Sequence, residues 1–316
     1  MESANRRHCA EIFRPLAVPA RRILTGMALV APLLLASSPF STAAQAEQSR
    51  TLSRIAADGV IRAGTRANAA PFARQLGDGT FEGVSVDLLE EIRRAAEGRT
   101  GRPVRLELSP VTPADRLQRV AGGELDIVCG ITTPTWDREE MVDFSLPFFR
   151  DGTRVLVYRE NAGRTSDLGR MQIAVVEGTT TVGILRDQLP SAELRVYPDM
   201  NAAMGGLEKG EVGGVANVGI VLLGLAAQAE PRRSVVLLPR TRPLATETLA
   251  CVLPQNDSIW RDLVNRTLVD LFDGVANFRG RYVEIYERWF GRNGRIVYPL
   301  DRSTRDYLGG VTIWAR

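Results

Sequence analysis

Strand and helix signals alternate along this chain from residue 51 onward, and that alternation restricts the fold more than any other feature. A sheet with helices packed on its faces buries both kinds of segment at once, so the pattern implies an α/β protein. Residues 60–64 read as a first strand and 104–108 as a second. Between them, 86–96 form an amphipathic helix with Val86, Leu89, Ile92 and Ala96 on one face and Gly98 as its stop. Thr112-Pro113 supplies an N-cap and a first-turn proline for a short helix that Gly122-Gly123 ends. Residues 153–158 form a further strand. A polar, glycine-containing stretch over 159–170 then leads to a second unit, where the alternation restarts. Strands are expected there at 172–176, 194–197, 213–217 and 235–238, with helices at 179–188, after Asp199 and at 220–229. Residues 248–253 read as a returning strand, and Asp257-Ser258 caps a long helical region over 259–290. The tail, 296–316, has no clear periodicity and either wraps a lobe or stays loose. These elements imply lobe 1 over 47–158 plus 248–295 and lobe 2 over 159–247. Two such units joined by extended crossings leave a cleft between them, which suits ligand capture by hinge closure.

The first 46 residues have the form of a signal peptide. Arg14, Arg21 and Arg22 precede an apolar stretch over 23–36, and Ala44-Gln45-Ala46 fits an A-x-A cleavage pattern. Pro32 interrupts the apolar run, which is shorter than the roughly 20 residues a spanning helix needs; an uncleaved anchor is the alternative reading. Cleavage after Ala46 yields an exported chain that keeps Cys129 and Cys251 and has no histidine, because His8 is the only one. An even cysteine count in an exported protein suits one disulfide, with two separate buried thiols as the alternative. The missing histidine removes Ser-His-Asp and Cys-His nucleophiles and most zinc sites together. A formal charge of +3 over 316 residues argues for neither nucleic acid nor a membrane surface. Lys209 is the only lysine, so nearly all the positive charge is arginine.

Residues 129–145 read CGITTPTWDREEMVDFS. The apolar Leu125-Asp126-Ile127-Val128 before them is the end of a buried strand. Gly130, Thr132 and Thr133 therefore lie on the loop at the strand's rim, where open α/β sheets place ligands. Arg138 on that loop offers the two parallel donors that suit a carboxylate, assisted by the backbone N–H and hydroxyl of Thr133. Thr180, opening a helix in the second unit, can donate from across the cleft with help from the helix N-terminus. The plain structural alternatives are a surface ion pair of Arg138 with Glu140 or Asp143, and helix capping by Thr133 and Thr180. Trp136 reads as a lid or packing residue and Phe72 as core.

Cys129-Gly130-Ile131-Thr132-Thr133 with Arg138, followed by Val142-Asp143-Phe144-Ser145, resembles the G-x-T…R…DFS signature of family 3 extracellular solute-binding proteins. Further landmarks follow in the family's order. They are Gly64-Thr65 with Pro71-Phe72 and Gly83; Gly122-Gly123-Glu124-Leu125-Asp126; Glu177-Gly178-Thr179-Thr180; and Tyr286 with Trp289-Phe290-Gly291. The likeness covers roughly residues 51–291. It implies a type II periplasmic-binding-protein fold, with each lobe a mixed sheet flanked by helices and two crossing strands between them. It also implies a monomeric periplasmic receptor that closes on a small polar ligand and delivers it to a membrane-embedded ABC permease. No cofactor, metal, nucleic acid or catalysis is implied.

The subgroup of closest resemblance is the glutamate/aspartate receptors. Gly64-Thr65-Arg66 places an arginine where that subgroup reads the ligand side chain, and Arg116 matches its second such arginine. Cys129 and Cys251 match its cysteine pair, both in the first lobe. The implied ligand set is Arg66, Arg116, Ile131, Thr133, Arg138, Thr180 and Asn217. The chain departs from the pattern at three places. Val218 stands where relatives carry an ammonium-pairing aspartate, Met200 where acidic amino-acid receptors carry a histidine, and Ala69 where many members stack an aromatic ring. A pocket of up to three arginines with no obvious acid favours dianions, leaving the ligand ammonium to the Ile131 carbonyl, Asn217 or Glu177. The alternatives are a receptor for another small carboxylate or dicarboxylate, a sensor domain, and a dehydratase-like enzyme on the same scaffold. The enzyme reading needs a positioned general acid or base, and Glu177 is the one carboxylate the sequence puts near the cleft.

Overall fold

Local chemistry sets where the elements begin and end. The Ser49 side chain accepts from the Leu52 N–H to open α1 (Arg50–Asp58), and left-handed Gly59 closes it. The structure is a computed structural model describing residues 48–163, 165–228, 233–294 and 296–312; the expected signal peptide and its cleavage point lie outside them. The chain continues through β1 (Val60–Thr65), β2 (Asn68–Ala69), β3 (Ala73–Gln75), β4 (Phe81–Glu82) and α2 (Val84–Thr100). Only glycine fits ahead of α2: Gly83 has φ 139°, and a Cβ there would lie 2.2 Å from the Phe72 carbonyl oxygen. The helix runs past Gly98 and ends at left-handed Gly101, because an exposed helical glycine costs only about 1 kcal/mol. Next come β5 (Arg105–Pro110), α3 (Arg116–Ala121), β6 (Ile127–Val128), α4 (Trp136–Glu139) and β7 (Asp143–Phe144). β8 (Phe149–Tyr158) carries the chain into the second lobe, made of β9 (Gln172–Val176), α5 (Thr181–Gln188), β10 (Glu193–Tyr197), α6 (Met200–Glu208), β11 (Gly214–Val218), α7 (Gly219–Ala226) and β12 (Val235–Leu238). β13 (Ala245–Leu249) returns it to β14 (Val252–Leu253), α8 (Ser258–Phe272), α9 (Arg281–Phe290) and α10 (Arg302–Val311).

The first lobe's sheet has the order β5-β1-β6-β14-β7, with β1 parallel to both neighbours and β14 antiparallel to both of its own. The second has the order β10-β9-β11-β8-β12, with β13 added on β8. Apolar clusters cover both faces of each sheet. Phe72, fully buried as expected, anchors the largest cluster edge-on to Phe149 at 4.9 Å between ring centroids. The fold is the two-lobed α/β architecture with mixed sheets that the sequence implies, and its described residues fall in one compact unit. No helix among them is long and apolar enough to cross a membrane.

The single strand β8 pairs with β13 over 149–153 and with β11 from Thr153 onward. Two features depart from the sequence reading. The helical region expected over 259–290 breaks where Gly274 and Phe278 turn left-handed, giving α8 and α9. The tail contains α10, opened by Asp301 accepting from the Thr304 N–H, and it buries Leu308 in the first lobe's core. One fully buried residue leaves no apolar stripe to read, which hid this helix in the sequence.

Candidate functional site

β1 and β6 lie side by side in parallel, Ala63 opposite Ile127 and Gly64 opposite Val128, so the loops that follow them reach the same rim. The first loop brings Arg66; the second brings Gly130 through Thr133 and then Arg138. Arg116 joins them from the first turn of α3, its Nε donating to Thr132 Oγ1 at 2.9 Å and its Nη1 to the Pro113 carbonyl. Arg66 and Arg116 are only 7% and 2% exposed. No carboxylate among the described residues lies within 4.0 Å of Arg66, Arg116 or Arg138. Burial lowers all three pKa values below the ordinary guanidinium value. For Arg116 the charges of Arg138 and Arg66 add to burial and bring it down to about 9. Arg66 is the least satisfied: its Nε is buried without a partner, and its Nη2 reaches Asn68 Oδ1 only at 3.5 Å.

The second lobe closes over this cluster. Arg138 donates through Nη1 to the Thr133 carbonyl at 2.6 Å and through Nη2 to the Gly178 carbonyl at 3.1 Å, which spans the cleft. Arg116 Nη2 lies 3.5 Å from the same carbonyl. Gly178 adopts φ 70°, and a Cβ there would sit 3.0 Å from the Pro113 carbonyl oxygen, so the lobes meet with no room to spare. Thr180 occupies the N-cap position of α5 but makes no side-chain cap bond. Its hydroxyl donates instead to Glu247 Oε1 at 2.5 Å, and Thr133 Oγ1 donates to the same oxygen at 3.0 Å. Thr153 on β8 donates to Glu247 Oε2. Glu247, on β13 and 5% exposed, thus links the first lobe, the second lobe and the crossing strands.

The remaining predicted residues fall as follows. Ile131 is half-buried against the first lobe's core. Asn217 lies on β11 with its amide closed on its surroundings, Nδ2 on Met200 Sδ at 3.1 Å and Oδ1 accepting from the Val218 N–H at 2.8 Å. Val218 is buried in the core. Cys129 and Cys251 form a disulfide with Cα atoms 4.3 Å apart, tying the loop after β6 to the start of β14. Asp143 pairs with Arg261 at 2.7 Å rather than with Arg138, and Ser145 exchanges hydrogen bonds with the backbone of Cys251, so this segment braces the site from behind. Trp136 stands on the surface, 85% exposed. Glu177 is exposed as well; the buried carboxylate of the cleft is Glu247. Sequence reasoning missed it because the returning strand was read from Thr248. Its signal is positional: it shares the inward face of β13 with Leu249, two residues on. Among the described residues no group of three His, Cys, Asp or Glu side chains is placed to hold a metal.

Residues 61–292 match the bacterial extracellular solute-binding proteins, family 3. An L-glutamate/L-aspartate-binding protein of Pseudomonas aeruginosa is 27% identical over 301 residues, covering 90% of this chain and 97% of the relative. A glutamate/aspartate import solute-binding protein of Salmonella typhimurium is 26% identical over 246 residues, covering 76% and 79%. Among solved structures, the ancestral amino acid-binding protein AncCDT-1, a precursor of cyclohexadienyl dehydratase, superposes with a TM-score of 0.65 at 27% identity, covering 77% of this chain and all of that one.

Proposed function

Since this chain belongs to the bacterial extracellular solute-binding proteins of family 3, we propose that it is the periplasmic receptor of an ABC importer for an acidic amino acid. It captures its ligand between the lobes and delivers it to the membrane permease. One observation carries the reading: three guanidinium groups converge on one site, those of Arg138 and Arg66 repel buried Arg116, and none has a carboxylate among the described residues within ion-pair distance. Such a cluster is stable only marginally until an anion enters. Arg138 grips the ligand's α-carboxylate where the lobes meet. Arg66 and Arg116 receive the side-chain carboxylate, and Arg66, with its unpartnered Nε, gains most. Ile131, Thr133, Thr180 and Asn217 complete the walls. Hydrogen bonds to charged groups contribute roughly 1.5–3 kcal/mol each. Four or five of them therefore support micromolar binding, about −8 kcal/mol, after ordering costs.

A thermal-shift screen over amino acids and small carboxylates tests the proposal. At about a hundredfold its dissociation constant the ligand adds about 2.7 kcal/mol of stability. Aspartate or glutamate is the expected hit. Arg138→Ala abolishes that shift while circular dichroism stays unchanged. A screen that responds only to cationic amino acids, or an Arg138→Ala protein with undiminished affinity, rejects the assignment.

A further inference from the structure

A threonine hydroxyl has a single proton to donate. Those of Thr133 and Thr180, the two that face each other across the cleft, are both given to Glu247 Oε1, and that of Thr153 to Oε2. The seam between the lobes therefore already holds an anion belonging to the protein. A carboxylate accepts about four hydrogen bonds, and these three leave one acceptor position on Oε2. Neutral hydroxyls supply no positive charge, and no cation among the described residues lies within 4.0 Å of this buried group. A buried carboxylate in that state favours a cationic partner. Thr133 ties it to the clamp: Arg138 Nη1 donates to the Thr133 carbonyl while the Thr133 hydroxyl donates to Glu247. A positive and a negative side chain thus flank one residue, as do the carboxylate and ammonium on the α-carbon of an amino acid.

From this juxtaposition we propose that Glu247 is the ammonium-binding residue of the receptor, accepting from the ligand's α-amino group beside the carboxylate held at Arg138. The inference rests on the acidic amino-acid reading and sharpens it. Val218 removes the acid expected on the second lobe, and a carboxylate on the crossing strand β13 takes over its task. Because its hydroxyl partners come from both lobes, the ammonium site is complete only when the lobes are together. An amine-free diacid leaves two anions facing each other there, so it binds less well.

Calorimetry on the whole protein tests this with two matched pairs, aspartate against succinate and glutamate against glutarate. The wild type is expected to bind the amino acid of at least one pair tenfold or more tighter than its amine-free twin. Glu247→Gln, checked for fold by circular dichroism, is expected to weaken the amino acid tenfold or more and to leave the diacid unchanged or tighter. Equal weakening of both ligands makes Glu247 a merely structural residue and overturns the proposal. Tighter amino-acid binding by the variant overturns it too, since Glu247 then competes with the ligand carboxylate. If the variant does not fold, the wild-type ratio decides, and a ratio near one refutes the assignment. Strong diacid binding without preference sinks this inference and leaves the anion receptor standing; no binding of any of the four compounds sinks both.

Discussion

Replacing Arg66 by methionine separates stability from function in this site. The change removes a charge that is only 7% exposed, a buried Nε without a partner, and one long hydrogen bond at 3.5 Å, while keeping an unbranched apolar stem. An unsatisfied buried donor costs about 1–3 kcal/mol, and the lost bond to Asn68 is worth at most about 1 kcal/mol. Repulsion between Arg66 and Arg116 disappears as well. Exchanging buried ionic groups for apolar ones of similar volume is often stabilising by about 1–4 kcal/mol. The ligand-free variant is therefore expected to be about 1–2 kcal/mol more stable than wild type, a rise in Tm of about 2–8 °C for a domain of this size. Addition of aspartate or glutamate reverses the order. Loss of a charged hydrogen bond to the side-chain carboxylate, roughly 1.5–3 kcal/mol, removes most of the ligand-induced shift. Differential scanning calorimetry with and without ligand reads both effects. An Arg66→Met protein that is less stable without ligand, or that keeps the full ligand shift, refutes the reasoning about the unneutralised cluster.

Two further outcomes follow from the same geometry. Gly178→Ala forces a side chain into a left-handed backbone position and against the Pro113 carbonyl, so it should disfavour the closed lobes by about 1 kcal/mol or more. Small-angle scattering should show a larger radius and calorimetry a weaker affinity, and unchanged values for both would contradict the contact. Arg116 bears on pH: its folded pKa, about 9, lies below its unfolded value. The unfolded chain therefore binds more protons as pH rises through about 9, and the stability of the wild type relative to Arg116→Met increases there. Urea unfolding of both proteins at about pH 7.5 and about pH 10.5 measures the difference; a pH-independent difference would show that Arg116 is not depressed.

Much of this molecule is legible in the order of its residues, for a physical reason. The period of apolar residues reports which face of a segment is buried, and that local signal located β1, β9, β12 and the start of α8. Cap residues such as Asp199 and Asp257 act within three residues of themselves and were equally visible. Arg66, Arg116 and Arg138 were named from motifs, and the parallel pairing of β1 with β6 brings their loops to one rim. What needed the folded chain depends on contacts between distant segments. α10 is held by a single fully buried side chain against the first lobe, too little to print a pattern. Glu247 looks like an ordinary strand residue until the register of β13 on β8 sets it opposite Asp151 and closure brings Thr133 and Thr180 to it, from 114 and 67 residues away. The chain's own order determined the layers, the two-lobed class and the positive cluster, because those follow from local burial and from residue chemistry. Tertiary structure alone decided where the buried carboxylate Glu247 stands and what it holds, because hydrogen bonds between distant segments are fixed by register and closure, which leave no periodic trace.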